Sequence, residues 1–94
     1  MATYILFGKY SADALKEMGA DRTEKARKLA QKFDGEVKSI HALLGNTDLV
    51  IIATFPNAEQ AMKFSLALAK STGIAFSTSE AVDVDTFDKL ISYI

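Results

Sequence analysis

The sequence predicts one α+β domain of ferredoxin-like βαββαβ type, a four-stranded antiparallel sheet with two helices on one face and a short C-terminal helix. Three observations lead there. Two capped segments of helical periodicity lie between strand-length apolar runs, and the two middle runs meet at a turn of hairpin composition. The resulting order leaves few compact solutions, because crossovers are right-handed and both helices must cover one sheet. The first and third strands then lie at the centre, with the second and fourth at the edges.

Thr3 to Tyr10 is rich in β-branched and aromatic residues and ends at Ser11, a good helix N-cap. The helical region after it is read in two parts. Gly19 interrupts the first turns around Leu15 and Met18, and Asp21 recaps with Glu24 at the capping-box position. The recapped helix carries an apolar stripe of Ala26, Leu29, Ala30 and Phe33, with Asp21–Lys25 and Glu24–Lys28 pairs on its exposed side. Gly35 is expected to close it in the left-handed region.

Glu36 to Leu44 and Asp48 to Phe55 form the hairpin, joined through Gly45, Asn46 and Thr47. Phe55 is held extended by Pro56, Asn57 caps the second helix with Gln60 at the capping-box position, and Gly73 ends it. The stripe of this helix reads Ala58, Ala61, Met62, Ser65, Leu68 and Ala69. Ile74 to Ala81 is the fourth strand. Asp85 then caps a tail helix bearing Phe87, Leu90, Ile91 and Ile94.

The hairpin register follows from pairing either Gly45 with Asp48 or Leu44 with Leu49, and both choices sort the side chains alike. One face carries Ile40, Ala42, Leu44, Leu49, Ile51, Ala53 and Phe55, which suits the helices. The other carries Val37, Ser39, His41, Leu43, Val50, Ile52 and Thr54. This second face is still mostly apolar, and Tyr4 and Leu6 join it if the first strand presents that parity. Left open to water it makes a sizeable apolar patch, so a second copy of the chain is the expected partner. Val37, Leu43, Val50 and Ile52 are the expected dimer-interface residues.

Composition narrows the function classes. The 94 residues suit one domain, 1–94, and the 49% hydrophobic and 24% charged fractions are those of a folding sequence. With no cysteine, disulfides, thiolate zinc sites and thiol nucleophiles are excluded. No secretory signal opens the chain and no apolar run approaches a membrane span, so a cytoplasmic location without membrane association is expected. A net charge of −1 offers no general attraction to nucleic acid. Val50, Ile52 and Thr54 likewise give no aromatic platform for bases.

Ala2-Thr3-Tyr4, Gly8-Lys9-Tyr10-Ser11, Arg22-Thr23, Gly35-Glu36-Val37-Lys38, Ala42-Leu43-Leu44-Gly45, Asp48-Leu49-Val50, Phe55-Pro56 and Phe76 together resemble the GYD-domain family over nearly the whole chain. That family is named for a Gly-Tyr-Asp signature, usually Gly-x-Tyr-Asp at the turn between the second and third strands. Here the turn reads Gly45-Asn46-Thr47-Asp48, with Thr47 in the tyrosine position. The resemblance implies a dimeric α+β barrel with two sheets face to face, and it implies no particular activity. A role that depends on a phenol at this turn has no residue to carry it here.

His41, the only histidine, is expected to point between the paired sheets. As a proton shuttle it would serve a cofactor-free monooxygenase or isomerase, activities that the wider superfamily includes, and distant relatives use a histidine on haem iron. The plainer reading is a hydrogen-bonded interface histidine beside Ser39 or Thr54. Ser39, Thr54, Ser77 and Ser79 could line a polar lumen, with Tyr4 and His41 as further ligand-binding candidates. No nucleophile elbow, metal-ligand cluster or phosphate-cradling loop is present, so no cofactor and no metal are expected. Asp48 reads as a turn residue bonding its own backbone, and Asp83, Asp85 and Asp88 as a helix start. Arg22, Lys25, Arg27, Lys28 and Lys32 read as a solvated helix face. The expected function is a homo-oligomeric module holding a small, partly apolar molecule, with a purely structural assembly role as the other alternative to an enzyme.

Overall fold

In the computed structural model the described residues are 1–11 and 21–94, so the turns expected around Leu15, Met18 and Gly19 lie outside them. The elements are β1 (Ala2–Lys9), α1 (Asp21–Lys32), β2 (Glu36–Ala42), β3 (Leu49–Phe55), α2 (Ala58–Thr72), β4 (Ala75–Ala81) and α3 (Val84–Ser92). Their sheet is antiparallel throughout with the order β2-β3-β1-β4. This is the expected ferredoxin-like arrangement.

Local chemistry sets the helix ends. The Asn57 side chain accepts the Gln60 backbone N–H at 3.0 Å, and Gly73 closes α2 at φ 74° with its N–H on the Ala69 carbonyl. At α1 the expected left-handed residue is displaced by one position. Asp34 takes φ 63°, and the Asp34 and Gly35 N–H groups bond back to the Gln31 and Ala30 carbonyls in a Schellman closure. Gly35 is needed for room instead: a Cβ there would run into the Phe55 ring and lie 2.5 Å from the Thr54 carbonyl oxygen. The cap of α3 is Asp83 rather than Asp85, its carboxylate accepting the Thr86 N–H at 2.7 Å.

The core lies between the sheet and α1 and α2. Phe55 sits at its centre, edge-on to Tyr4 at 6.1 Å and tilted against Phe64 at 5.1 Å between ring centroids. Ala26 and Ala30 of α1 and Ala61, Phe64 and Leu68 of α2 are buried against it, while Leu29 and Phe33 pack at its margin. The stripe read for α2 is therefore corrected. Phe64 takes the central place, and Met62 turns outward, because the helix rolls its largest ring toward Phe55.

The sheet register revises two face assignments. In β1, Tyr4 pairs with Ala53 and Leu6 with Ile51, which puts both on the helix side, where they are 3% and 0% exposed. In β2 a bulge at Lys38 separates the Val37–Ala53 pair from the Ser39–Ile52 pair. The extra residue reverses the alternation, so Val37 enters the core at 4% exposure while Ser39 and His41 keep the opposite face. Arg27 donates from Nη1 to the Val37 carbonyl at 3.2 Å, supporting the backbone where the ladder is broken. The hairpin register is also shifted by two residues from the expected one, and its loop is correspondingly longer. Ala42 pairs with Leu49, the Leu43 N–H bonds to the Asp48 carbonyl, and Leu44 stands fully in solvent within the turn.

Gly35→Ala should lower stability by about 1–3 kcal/mol, the usual cost of forcing atoms into a filled core. Chemical denaturation checks this, and a variant as stable as the parent would show that the Phe55 ring can move aside.

Candidate functional site

Alternation along the central strands leaves a second sheet face with no helix packed across it among the described residues. Thr3, Ile5 and Phe7 of β1 stand beside Thr54, Ile52 and Val50 of β3 on this face. Ser77 and Ser79 continue it onto β4, opposite Phe7 and Ile5, and Ser39 and His41 continue it onto β2, opposite Ile52 and Val50. The centre is apolar and the flanks carry hydroxyls. Phe7 is 40% exposed, and Ile5, Val50 and Ile52 are half-buried.

The site residues named from the sequence are only partly brought together. Ser39 and His41 share one end of the face, with His41 exposed on the edge strand. Thr54 stands opposite Glu36 and is four residues from Val50, roughly 13 Å along the strand, so it is remote from His41. Val50 and Ile52 lie at the centre of the face, and Leu43 is half-buried just beyond the end of β2. Val37 and Tyr4 do not belong to it, for the reasons of register given above. Among the described residues no group of three or more His, Asp and Glu side chains converges as a metal site would require.

Tyr4 has a different environment from the one expected of a ligand-binding phenol. Its ring is in the core and its hydroxyl donates to Glu80 Oε1 at 3.1 Å. Burial first, then the bond to Glu80 and the carboxylate's charge, raise its pKa above the ordinary tyrosine value. Asp48 is likewise corrected. Rather than bonding its own turn, its carboxylate accepts the Tyr10 N–H at 3.0 Å, while its own N–H donates to the Gly8 carbonyl at 2.9 Å. The aspartate of the turn thus ties the hairpin to the end of β1.

On the helix side, a cavity of about 110 Å³ lies between the sheet, α1 and α2, and Tyr10 and Arg22 are among its lining residues. Arg22 was expected on a solvated face. It is half-buried, Nη2 donates to the Thr72 carbonyl at 3.4 Å, and Nη1 is fully buried with no hydrogen-bond partner among the described residues. Nothing in the one-dimensional charge pattern separates Arg22 from its neighbours, because its environment is made by α2, 50 residues away.

The profile of the GYD domain matches residues 4–91. No curated protein matches the chain. Among solved structures, the crystal structure of Mycobacterium tuberculosis Leucine response regulatory protein (LrpA) superposes with a TM-score of 0.60 at 10% identity, over 88% of this chain and 51% of that one. The chain therefore spans about half the length of that protein, and the likeness is one of fold. Among the described residues no helix is long and apolar enough to cross a membrane.

The raised Tyr4 value has a pH signature. The folded state holds the phenolic proton more tightly than the unfolded state, so the stabilisation is complete below the ordinary value of about 10 and is lost as pH rises through the folded value. Stability measured by denaturant between pH 8 and 11 should fall more steeply in the parent than in Tyr4→Phe. Equal slopes would assign the alkaline loss to other groups.

Proposed function

The chain belongs to the GYD-domain family, and from its open sheet face we propose that it works as a self-associating module that holds a small, partly apolar molecule between paired sheets. The observation that carries this reading is the row of Ile5, Phe7, Val50 and Ile52 across the two central strands, with no helix over it among the described residues. Apolar side chains in that number are costly to leave in water, at about 25 cal/mol per Å². Pairing with a second copy would bury roughly 800 Å² on each partner, the size of a standard stable interface.

The tail helix supports the same reading. Phe87, Leu90 and Ile91 are each 52% exposed, none of the nine residues of α3 is buried, and Ile94 continues the stripe beyond its end. Isolated helices shorter than about 12 residues are marginal in water, so a helix of this length depends on something covering its apolar side. A second chain covers the tail and the sheet face together.

Between two such faces the apolar centre would contact the body of a small molecule, and Ser39, Ser77, Ser79 and His41 would offer hydrogen bonds at its margins. His41 enters this reading as a polar wall residue. Among the described residues no carboxylate is paired with it in the way that orients a catalytic imidazole.

Light scattering after size exclusion at micromolar concentration should give about twice the 10.2 kDa chain mass. Ile52→Lys, whose side chain points away from the core, should shift the protein to a folded monomer with its circular dichroism retained. A parent chain that is monomeric at this concentration, or an Ile52→Lys variant that still pairs as tightly, would overturn the pairing. Native mass spectrometry of the dimer checks for a retained small molecule.

A further inference from the structure

We propose that the cavity beneath the helices is a second binding site, for a small apolar acid whose carboxylate is held by Arg22. It lies on the opposite side of the sheet from the pairing surface and does not depend on pairing. Its inner wall is aliphatic and aromatic, with Ile51, Leu68, Ile74 and Phe76 among the lining residues. Polar groups enter at Tyr10, Arg22 and Thr72. The chamber is thus an apolar pocket with one fixed cation at its edge.

Arg22 is placed where such a ligand would need it. It also lines an outer cleft of about 230 Å³, which shares Ala26, Leu68 and Thr72 with the inner cavity. The guanidinium therefore stands between a polar vestibule and an apolar chamber. In the vestibule, the Asp21 carboxylate is paired with Lys25 at 3.2 Å, so the negative charge nearest Arg22 along the helix already has a cation. Nη2 spends one donor on a long bond to the Thr72 carbonyl, and Nη1 has none of its donors satisfied among the described residues.

A buried, charged donor without a partner is a strong demand on its surroundings, since guanidinium groups taken out of water normally find an acceptor. A carboxylate meets that demand best, because its two oxygens match the planar fork of the guanidinium. The chamber limits the rest of the molecule. An apolar cavity of about 150 Å³ holds benzene, so about 110 Å³ admits an unbranched chain of four or five carbons or part of one ring. The ligand class is accordingly a short-chain or simple aromatic carboxylic acid, with its tail against Leu68 and Phe76 and its head at the Arg22 guanidinium, which must turn slightly to bring the covered Nη1 to it.

The test is titration of the full chain with pentanoate and benzoate, followed by backbone amide shifts in NMR spectra and by calorimetry. Acetate, pentan-1-ol and benzyl alcohol serve as controls that carry the head or the tail alone. At least one acid should bind with shifts centred on Ala26, Leu68 and Phe76, and at least tenfold more tightly than its alcohol and than acetate. Arg22→Gln should weaken that acid at least tenfold and leave the Ile52→Lys monomerisation unchanged. The proposal fails if neither acid binds at 10-fold excess over millimolar protein, if acid and alcohol bind alike to the parent, or if the shifts fall on the open sheet face instead. The acid and alcohol comparison needs no variant, so a fold defect in Arg22→Gln would not blur the result.

Discussion

The Phe55 ring is the point on which the arrangement of this protein depends. It meets Tyr4 from β1 and Phe64 from α2, and its edge fills the space that Gly35 leaves at the end of α1. Each βαβ half thus closes on the same side chain. Fully burying a residue of this size contributes about 1.5–3 kcal/mol, and the two ring contacts add to it. Once Phe55 points toward the helices, alternation in β3 sends Ala53 and Ile51 the same way and turns Thr54, Ile52 and Val50 outward. The inner cavity and the outer face are both consequences of that one orientation.

The Lys38 bulge adjusts the edge strand to this constraint. Without it, Val37 would share a face with Ser39 and His41, and the core beside Ala53 would lose a side chain. The extra residue lets Val37 fill the core while the hydroxyl and imidazole stay outside, and Arg27 supports the Val37 carbonyl from α1. Bulges bend and twist a strand, and here the device decides which edge groups can reach the outer face. A basic residue that resembles ordinary helix surface therefore has a structural partner, just as Arg22 on the same helix faces the cavity.

The turn between β2 and β3 is a second point where distant parts are joined. Asp48 takes the Tyr10 N–H on its carboxylate and gives its own N–H to the Gly8 carbonyl, so the hairpin is tied to the end of β1. Tyr10 is also part of the cavity lining, which connects the turn to the place where an acid ligand would lie. The outer sheet face and the inner cavity are thus built on the same strands but use opposite parities of them.

Element order, the cap at Asn57, the stop at Gly73 and the alternation of β3 were determined by the sequence, because each rests on neighbours within a few residues. The inward choice of β1 was not legible: Tyr4, Ile5, Leu6 and Phe7 are all apolar, so period-two alternation offers no preference, and pairing with Ala53 and Ile51 makes the decision. The bulge was hidden for the same reason, since Val37 suits either face. Gly35 suggested a left-handed turn by its type, whereas the nearby Phe55 ring accounts for it. Tertiary structure alone placed Tyr4 beside Glu80, Asp48 beside Tyr10 and Arg22 beside Thr72, contacts 76, 38 and 50 residues apart. Such polar contacts are set by how strands and helices pack, and no local pattern encodes them.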